Sequence, residues 1–186
     1  MAFLESRPTR DAHRTRTAIL AAARQAFSAK GYSAAGVREI AAAAGVNPAL
    51  VSRYFGSKEG LFEEALAELL DVSVFTGAPR DAFGEAVVRL LTGEGEHERN
   101  PLPMMVLAST DPQSRAICAR LLERLVTAPL IAWIGGADAG TRITRFVMLA
   151  SGLTIHRAIY PLEGIAPRLD PDLRAWLVCA FQSIVD

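Results

Sequence analysis

Residues 37–62 read VREIAAAAGVNPALVSRYFGSKEGLF. In the first part, Val37, Ile40, Ala41 and Ala44 fall on one face at the i, i+3, i+4, i+7 spacing of a short amphipathic helix. Gly45 predicts its end, because glycine enters the left-handed region at little steric cost. Asn47 is a good N-cap, and Pro48 suits the first helical position, where its missing N–H loses nothing. The second short helix puts Val51 and Phe55 one turn apart facing inward, with Ala49, Ser52 and Arg53 facing out. Gly56 closes it, Ser57 caps a further helix, and Glu59 sits at the positive end of that helix's dipole. Two short helices joined by a glycine turn, the second with a small, polar and basic outer face, describe a helix-turn-helix.

Charge is distributed around this stretch unevenly. The net charge of the 186 residues is zero, yet up to Gly60 nine Lys and Arg face four Asp and Glu, a net of +5. The remainder carries −5, so a basic head precedes an acidic body, as suits a polyanion-binding domain joined to one with another task. A hydrophobic content of 51% argues for a folded chain with a substantial core. Cys118 and Cys179 lie far apart with no CxxC pair, which fits a reducing cytoplasm. MAFLESRPTR has an acidic residue and no extended apolar run, so it does not read as a secretory signal. The most apolar segment, residues 146–156, is bracketed by Arg145 and Arg157, short of the ~20 residues that span a bilayer. No membrane contact and a cytoplasmic location are expected.

The rest of the chain reads as helices. One runs from residue 9 or 11 to about 30, burying Ile19, Ala23, Ala26 and Phe27 and stopping at Gly31. Its first turns carry Arg10, Arg14 and Arg16, either phosphate contacts beside the reading helix or a solvated basic face. A longer helix over residues 57–75 links head and body. Further helices are expected over 81–91, 102–108, 113–133, 141–160 and 172–185, with Pro129 kinking or breaking the third of these near residues 127–128. The last two are apolar on so many sides that a second copy of the chain is the natural cover, with an ordinary monomeric core as the alternative. Phe146, Leu153, Trp176, Leu177, Ala180, Phe181 and Ile184 are the expected dimer contacts. The fold class is therefore all-α, with about nine helices. Residues 9–56 form the helix-turn-helix domain and residues 57–186 a helical effector-binding and dimerisation domain.

Chemistry is sparse. His13, His97 and His156 have no zinc-like spacing to each other or to the cysteines, and the glutamate-rich loop around His97 could hold a metal only weakly. No GxSxG, HExxH, GxGxxG or paired catalytic carboxylates occur, so neither an enzyme nor a cofactor is expected. On the second short helix, Pro48 begins the end that faces the bases in a major groove. Ala49 and Leu50 can touch a thymine methyl, and Asn47, Ser52 and Arg53 can hydrogen-bond bases or phosphates, with Arg38 a further phosphate candidate on the preceding helix.

Gly31-Tyr32, residues 37–40, Ala43-Ala44-Gly45-Val46 and Tyr54-Phe55-Gly56-Ser57-Lys58-Glu59 together resemble the DNA-binding signature of TetR-type repressors. The resemblance is dense over residues 16–62 and looser beyond. It departs at Ala35 and Gly36, where the family usually has a Thr or Ser pair, and at Leu50 and Ser52, where it commonly has a threonine and a tyrosine. The resemblance implies that Tyr54 and Lys58 contact the DNA backbone. It also implies a homodimer on a palindromic double-stranded operator, released by a small, mostly apolar effector of unknown identity bound in the body. Candidate pocket residues are Phe83, Met104, Met105, Trp133 and Met148, each of which also reads as plain core filling. His156 reads as a polar ligand contact, a dimer-interface group or a satisfied core histidine. The competing readings are a DNA-binding regulator without an effector, either an activator or one controlled by a partner protein, and a small helical enzyme.

Overall fold

The computed structural model describes residues 7–77, 79–93, 100–166 and 168–186. These residues form α1 (Arg7–Ala34), α2 (Val37–Ala43), α3 (Pro48–Phe55), α4 (Lys58–Ala67), α5 (Ser73–Thr76), α6 (Phe83–Thr92), α7 (Leu102–Ala108), α8 (Pro112–Leu122), α9 (Ala128–Ile134), α10 (Ala139–Ala158) and α11 (Pro171–Gln182), with no strand among them. The run from Pro112 to Ile134 is helical throughout. Counting it once, and leaving out the single turn α5, gives among these residues the nine helices expected from the sequence. The described chain divides into two compact units. The first runs to Glu68 and also takes in Met104–Cys118, and the second comprises Leu69–Pro103 and Ala119–Asp186.

The first unit is built around aromatic packing. Phe27 and Phe62 are fully buried, which stabilises by roughly 1.5–3 kcal/mol for each side chain. Their rings meet edge to face at 5.2 Å, and Tyr32 packs edge-on against Phe62 at 5.1 Å. Gly31 interrupts α1 with φ 77° and ψ 171°, which is the stop expected there, and one further helical turn follows it.

The second unit centres on α6 and α11. Phe83, Phe146 and Phe181 form a chain of ring contacts at 6.0 and 5.8 Å, and Phe83 stacks on Trp133 at 5.5 Å. Arg174 grips Glu85 with two hydrogen bonds of 3.1 and 2.5 Å, holding the Glu85 carboxyl below its usual range. The Arg80 guanidinium donates to the carbonyls of Val185 and Ile134, so it fastens the end of the chain to α9. Arg157 donates to Thr92 O at 2.8 Å and Ile165 O at 3.2 Å. Cys118 is buried, with its thiol pushed up to about 11, and Cys179 is exposed. Among the described residues no helix is long and apolar enough to cross a membrane.

Two expectations are corrected. The helix expected over residues 57–75 is two: α4 ends at Ala67, and Asp71 Oδ1 accepts the Ser73 N–H at 2.9 Å, a local turn bond that competes with continuing the helix. Pro129 does not break its helix. A π-helical turn, Glu123–Thr127, precedes it, and the Ala128 N–H bonds back to Glu123 O, so the extra residue absorbs the proline within a continuous rod. Of the expected dimer contacts, Phe146, Leu153, Leu177, Phe181 and Ile184 are buried within the single chain. Phe146 and Phe181 join the ring chain that reaches Phe83 on α6. Trp176 remains 56% exposed and Ala180 is half-buried.

Gly84 marks how tightly α6 meets α11. A Cβ there would stand 2.2 Å from Val178 O and 3.0 Å from Gln182 N. An ordinary helical Gly→Ala change stabilises by roughly 1 kcal/mol, whereas overpacking a core costs roughly 1–3 kcal/mol. Backbone cannot rotate away, so the second effect wins. Gly84→Ala is expected to lower the urea midpoint, and an unchanged or raised midpoint would contradict this packing.

Candidate nucleic-acid interface

The turn between α2 and α3 is a Schellman motif. Gly45 (φ 67°) follows the α2 C-cap Ala44, its N–H reaches Ala42 O at 3.1 Å, and the Val46 N–H reaches Ala41 O at 2.9 Å. Asn47 Oδ1 then accepts the Ala49 N–H at 2.9 Å, with Pro48 in the first turn of α3, and Ser57 Oγ accepts the Gly60 N–H at 3.1 Å to start α4. Gly36 caps α2 without a side-chain bond.

Val51 and Phe55 are buried, as are Ile40 and Ala41 on α2, which packs against α3. Burying those two positions fixes the rotation of α3 about its axis. Asn47, Pro48, Ala49, Ser52 and Arg53 are exposed, while Leu50 and Tyr54 are half-exposed. Arg38 is exposed on α2, and Lys58 is half-exposed at the start of α4.

The basic residues of the unit are not equivalent. Arg16 pairs with Glu64, Arg24 with Glu68 and Lys30 with Glu39. Arg14 lies 3.4 Å from Asp11, and Arg16 also sits over the Phe55 ring at 5.5 Å. Of the phosphate candidates that the sequence offers on α1, Arg16 is thus committed to bracing α1 on α4. Arg38 and Arg53 have no carboxylate or hydrogen-bond partner among the described residues, so the outer faces of α2 and α3 carry uncompensated positive charge. Glu59 is held below the usual carboxylate range by the Ser57 hydroxyl, its own N–H and the Tyr32 hydroxyl, which donates at 3.0 Å. Burial, with Glu59 adding, pushes the Tyr32 phenol up to about 12.

The residues expected to line a ligand pocket are divided between the two units. Phe83 and Trp133 stack in the second unit, and Met104, buried, and Met105 belong to the first. Met148 is 70% exposed on α10 and so lines no enclosed pocket of the single chain. His156 Nδ1 lies 3.2 Å from Tyr160 O, tied to the end of its own helix. The loop around His97 lies outside the described residues. Sequence reasoning missed Thr154, a hydroxyl on α10 only 1% exposed that finds no hydrogen-bond partner among the described residues. Its place inside the apolar stretch of residues 146–156 was the available signal.

An exposed reading helix pinned by two core residues, in a unit joined to a second helical one, defines a helix-turn-helix regulatory protein. Residues 19–65 match the family described as bacterial regulatory proteins, tetR family, and residues 81–185, more than half of the chain, match the tetracyclin repressor-like C-terminal domain. The chain belongs to the TetR family of transcriptional regulators. It is 29% identical over 163 residues to the HTH-type transcriptional repressor Rv3405c of Mycobacterium tuberculosis, a match covering 88% of this chain and 65% of that protein. The chain thus spans just under two thirds of the length of the curated relatives it matches. A TetR-family regulator of Streptomyces coelicolor is similar over 98% of this chain and 99% of its own, with 29% identity and a TM-score of 0.59. A Rhodococcus regulator shares the fold at a TM-score of 0.66, with 20% identity over 94% of this chain and all of its own.

Phe55→Ala is expected to destabilise the first unit by roughly 3–5 kcal/mol, the usual loss for a buried aromatic. Arg53→Ala, on the opposite face, should change stability by no more than about 0.5 kcal/mol. Denaturant unfolding of both variants checks the assignment, and similar losses would mean that α3 is rotated from the orientation described.

Proposed function

We propose that this chain is a cytoplasmic, ligand-responsive transcriptional repressor that binds a palindromic operator as a homodimer. Residues 9–56 read DNA, and residues 57–186 hold the effector and the dimer contacts. The observation that carries the reading is the pairing on α3 of buried Val51 and Phe55 with an outer face of Ala49, Ser52 and an uncompensated Arg53. In a major groove, Ala49 and Leu50 would meet thymine methyls. Asn47, Ser52 and Arg53 would hydrogen-bond base edges or phosphates, and Arg38, Tyr54 and Lys58 would hold the backbone.

Dimerisation is supported by apolar groups that the chain leaves outside on its last two helices, Met148 on α10 and Trp176 on α11. Trp176 is one of the dimer contacts expected from the sequence. An effector site in the second unit is supported by Thr154, since a buried hydroxyl that finds no partner among the described residues is a natural place for a ligand's polar group. The effector must bind the DNA-incompetent conformation better, and DNA then weakens effector binding by the same factor.

A gel-shift titration against the DNA upstream of the chain's own gene, at two salt concentrations, tests the interface. Binding should weaken steeply with salt. Arg53→Ala and Lys58→Ala should each weaken it further, lowering the log–log salt slope by about one for every phosphate left without its cation. Unchanged affinity in both variants would remove the assigned face. For the dimer, Trp176→Arg should shift the sedimentation coefficient from dimer to monomer while the helical circular dichroism is retained.

A further inference from the structure

Lys58 is held differently from the other cations of its unit. Arg16, Arg24 and Lys30 each end on a carboxylate, whereas Lys58 makes no ion pair among the described residues. Its ammonium donates to Ser33 O at 3.3 Å and stands over the Tyr32 ring, 4.7 Å from the centre. Both partners lie in the last turn of α1, beyond the break at Gly31. The ring is itself fixed. Tyr32 is only 6% exposed, its ring meets Phe62 at 5.1 Å and Phe27 at 6.1 Å, and its hydroxyl donates to Glu59 at 3.0 Å. That last bond also occupies the carboxylate that follows Lys58 in the chain.

We infer that Tyr32 is a positioning residue for DNA binding: its ring, with the Ser33 carbonyl, holds the Lys58 ammonium in place without neutralising it, and a DNA phosphate takes the cation where it stands. The inference rests on the proposed reading of Lys58 as a backbone contact. A carboxylate would hold the lysine firmly too, but it would cancel the charge that a phosphate needs. A ring face and a carbonyl attract the cation through a quadrupole and a dipole, so the full positive charge remains. An ammonium has three N–H donors, and Ser33 uses one of them, which leaves two for phosphate oxygens. Lysine is among the side chains with most rotamer freedom to lose, and restricting it before DNA arrives lowers that loss on binding. The sign of the effect is decisive. If the phosphate instead pulled Lys58 off the ring, weakening the ring's attraction would tighten binding.

The test measures fluorescence anisotropy of a labelled duplex from upstream of the chain's own gene, titrated with the full chain at low salt. Removing the ring outright would disturb the core, so Tyr32→Phe is the reference, and phenylalanines with increasing numbers of ring fluorines are placed at the same position by nonsense suppression. Fluorine draws electrons from the ring face and changes its size little, so the attraction for a cation falls while the ring's volume is kept. Affinity should fall stepwise along the series, by about two- to five-fold at its end, the range for an exposed cation–π contact. In a Lys58→Ala background the same series should leave affinity unchanged. The Lys58 side-chain protons, shifted upfield by the ring in the NMR spectrum of the reference protein, should stay upfield when duplex is added. Equal weakening in both backgrounds, a flat or tightening series, or loss of the upfield shift on DNA would each overturn the inference. Lys58→Ala separates the two readings: if it alone leaves duplex affinity unchanged, Lys58 is no backbone contact and the inference falls with that reading. If it weakens binding while fluorine does not, the inference falls alone.

Discussion

An eight-residue helix has barely two turns, so two buried side chains suffice to fix its rotation. In α3 those are Val51 and Phe55, and every functional statement about the first unit depends on their burial. With them inside, geometry sends Ala49, Ser52 and Arg53 outward, whatever residues stand there. The supports are local and redundant. A Schellman turn satisfies the end of α2, Asn47 caps α3, and Ser57 caps α4. Caps contribute roughly 1 kcal/mol each, against roughly 1.5–3 kcal/mol for a fully buried aromatic. Packing holds the helix in place, and the caps decide where it starts and stops.

The electrostatics of the same unit divide between two tasks. Arg16, Arg24 and Lys30 have carboxylate partners and brace α1 against α4 and α2. These pairs are partly exposed, so each is worth no more than about 1 kcal/mol, and their main effect is to cancel charge where none is needed. Arg38 and Arg53, on the two short helices that would flank a groove, stay uncompensated among the described residues. A basic head counted from composition is therefore a weaker statement than the one the ion pairs make. Charge that survives intramolecular pairing is the part available to a polyanion.

The helix-turn-helix was legible in the sequence because its signals are short-range: a glycine needed at positive φ, an Asn-Pro start, and a one-turn spacing of core residues. Helix existence was legible almost everywhere for similar reasons. What failed were inferences that required knowing which partner lies opposite. Phe146, Leu153, Leu177, Phe181 and Ile184 are apolar enough for an interface or a core, and periodicity cannot tell the two apart. Within the single chain they are buried. Pro129 predicted a kink or a break because steric rules describe an i→i−4 helix, and one π turn lets the helix run on without the break. The end of α4 was invisible for the opposite reason, since no glycine or proline marks it and a single aspartate turn bond redirects the chain.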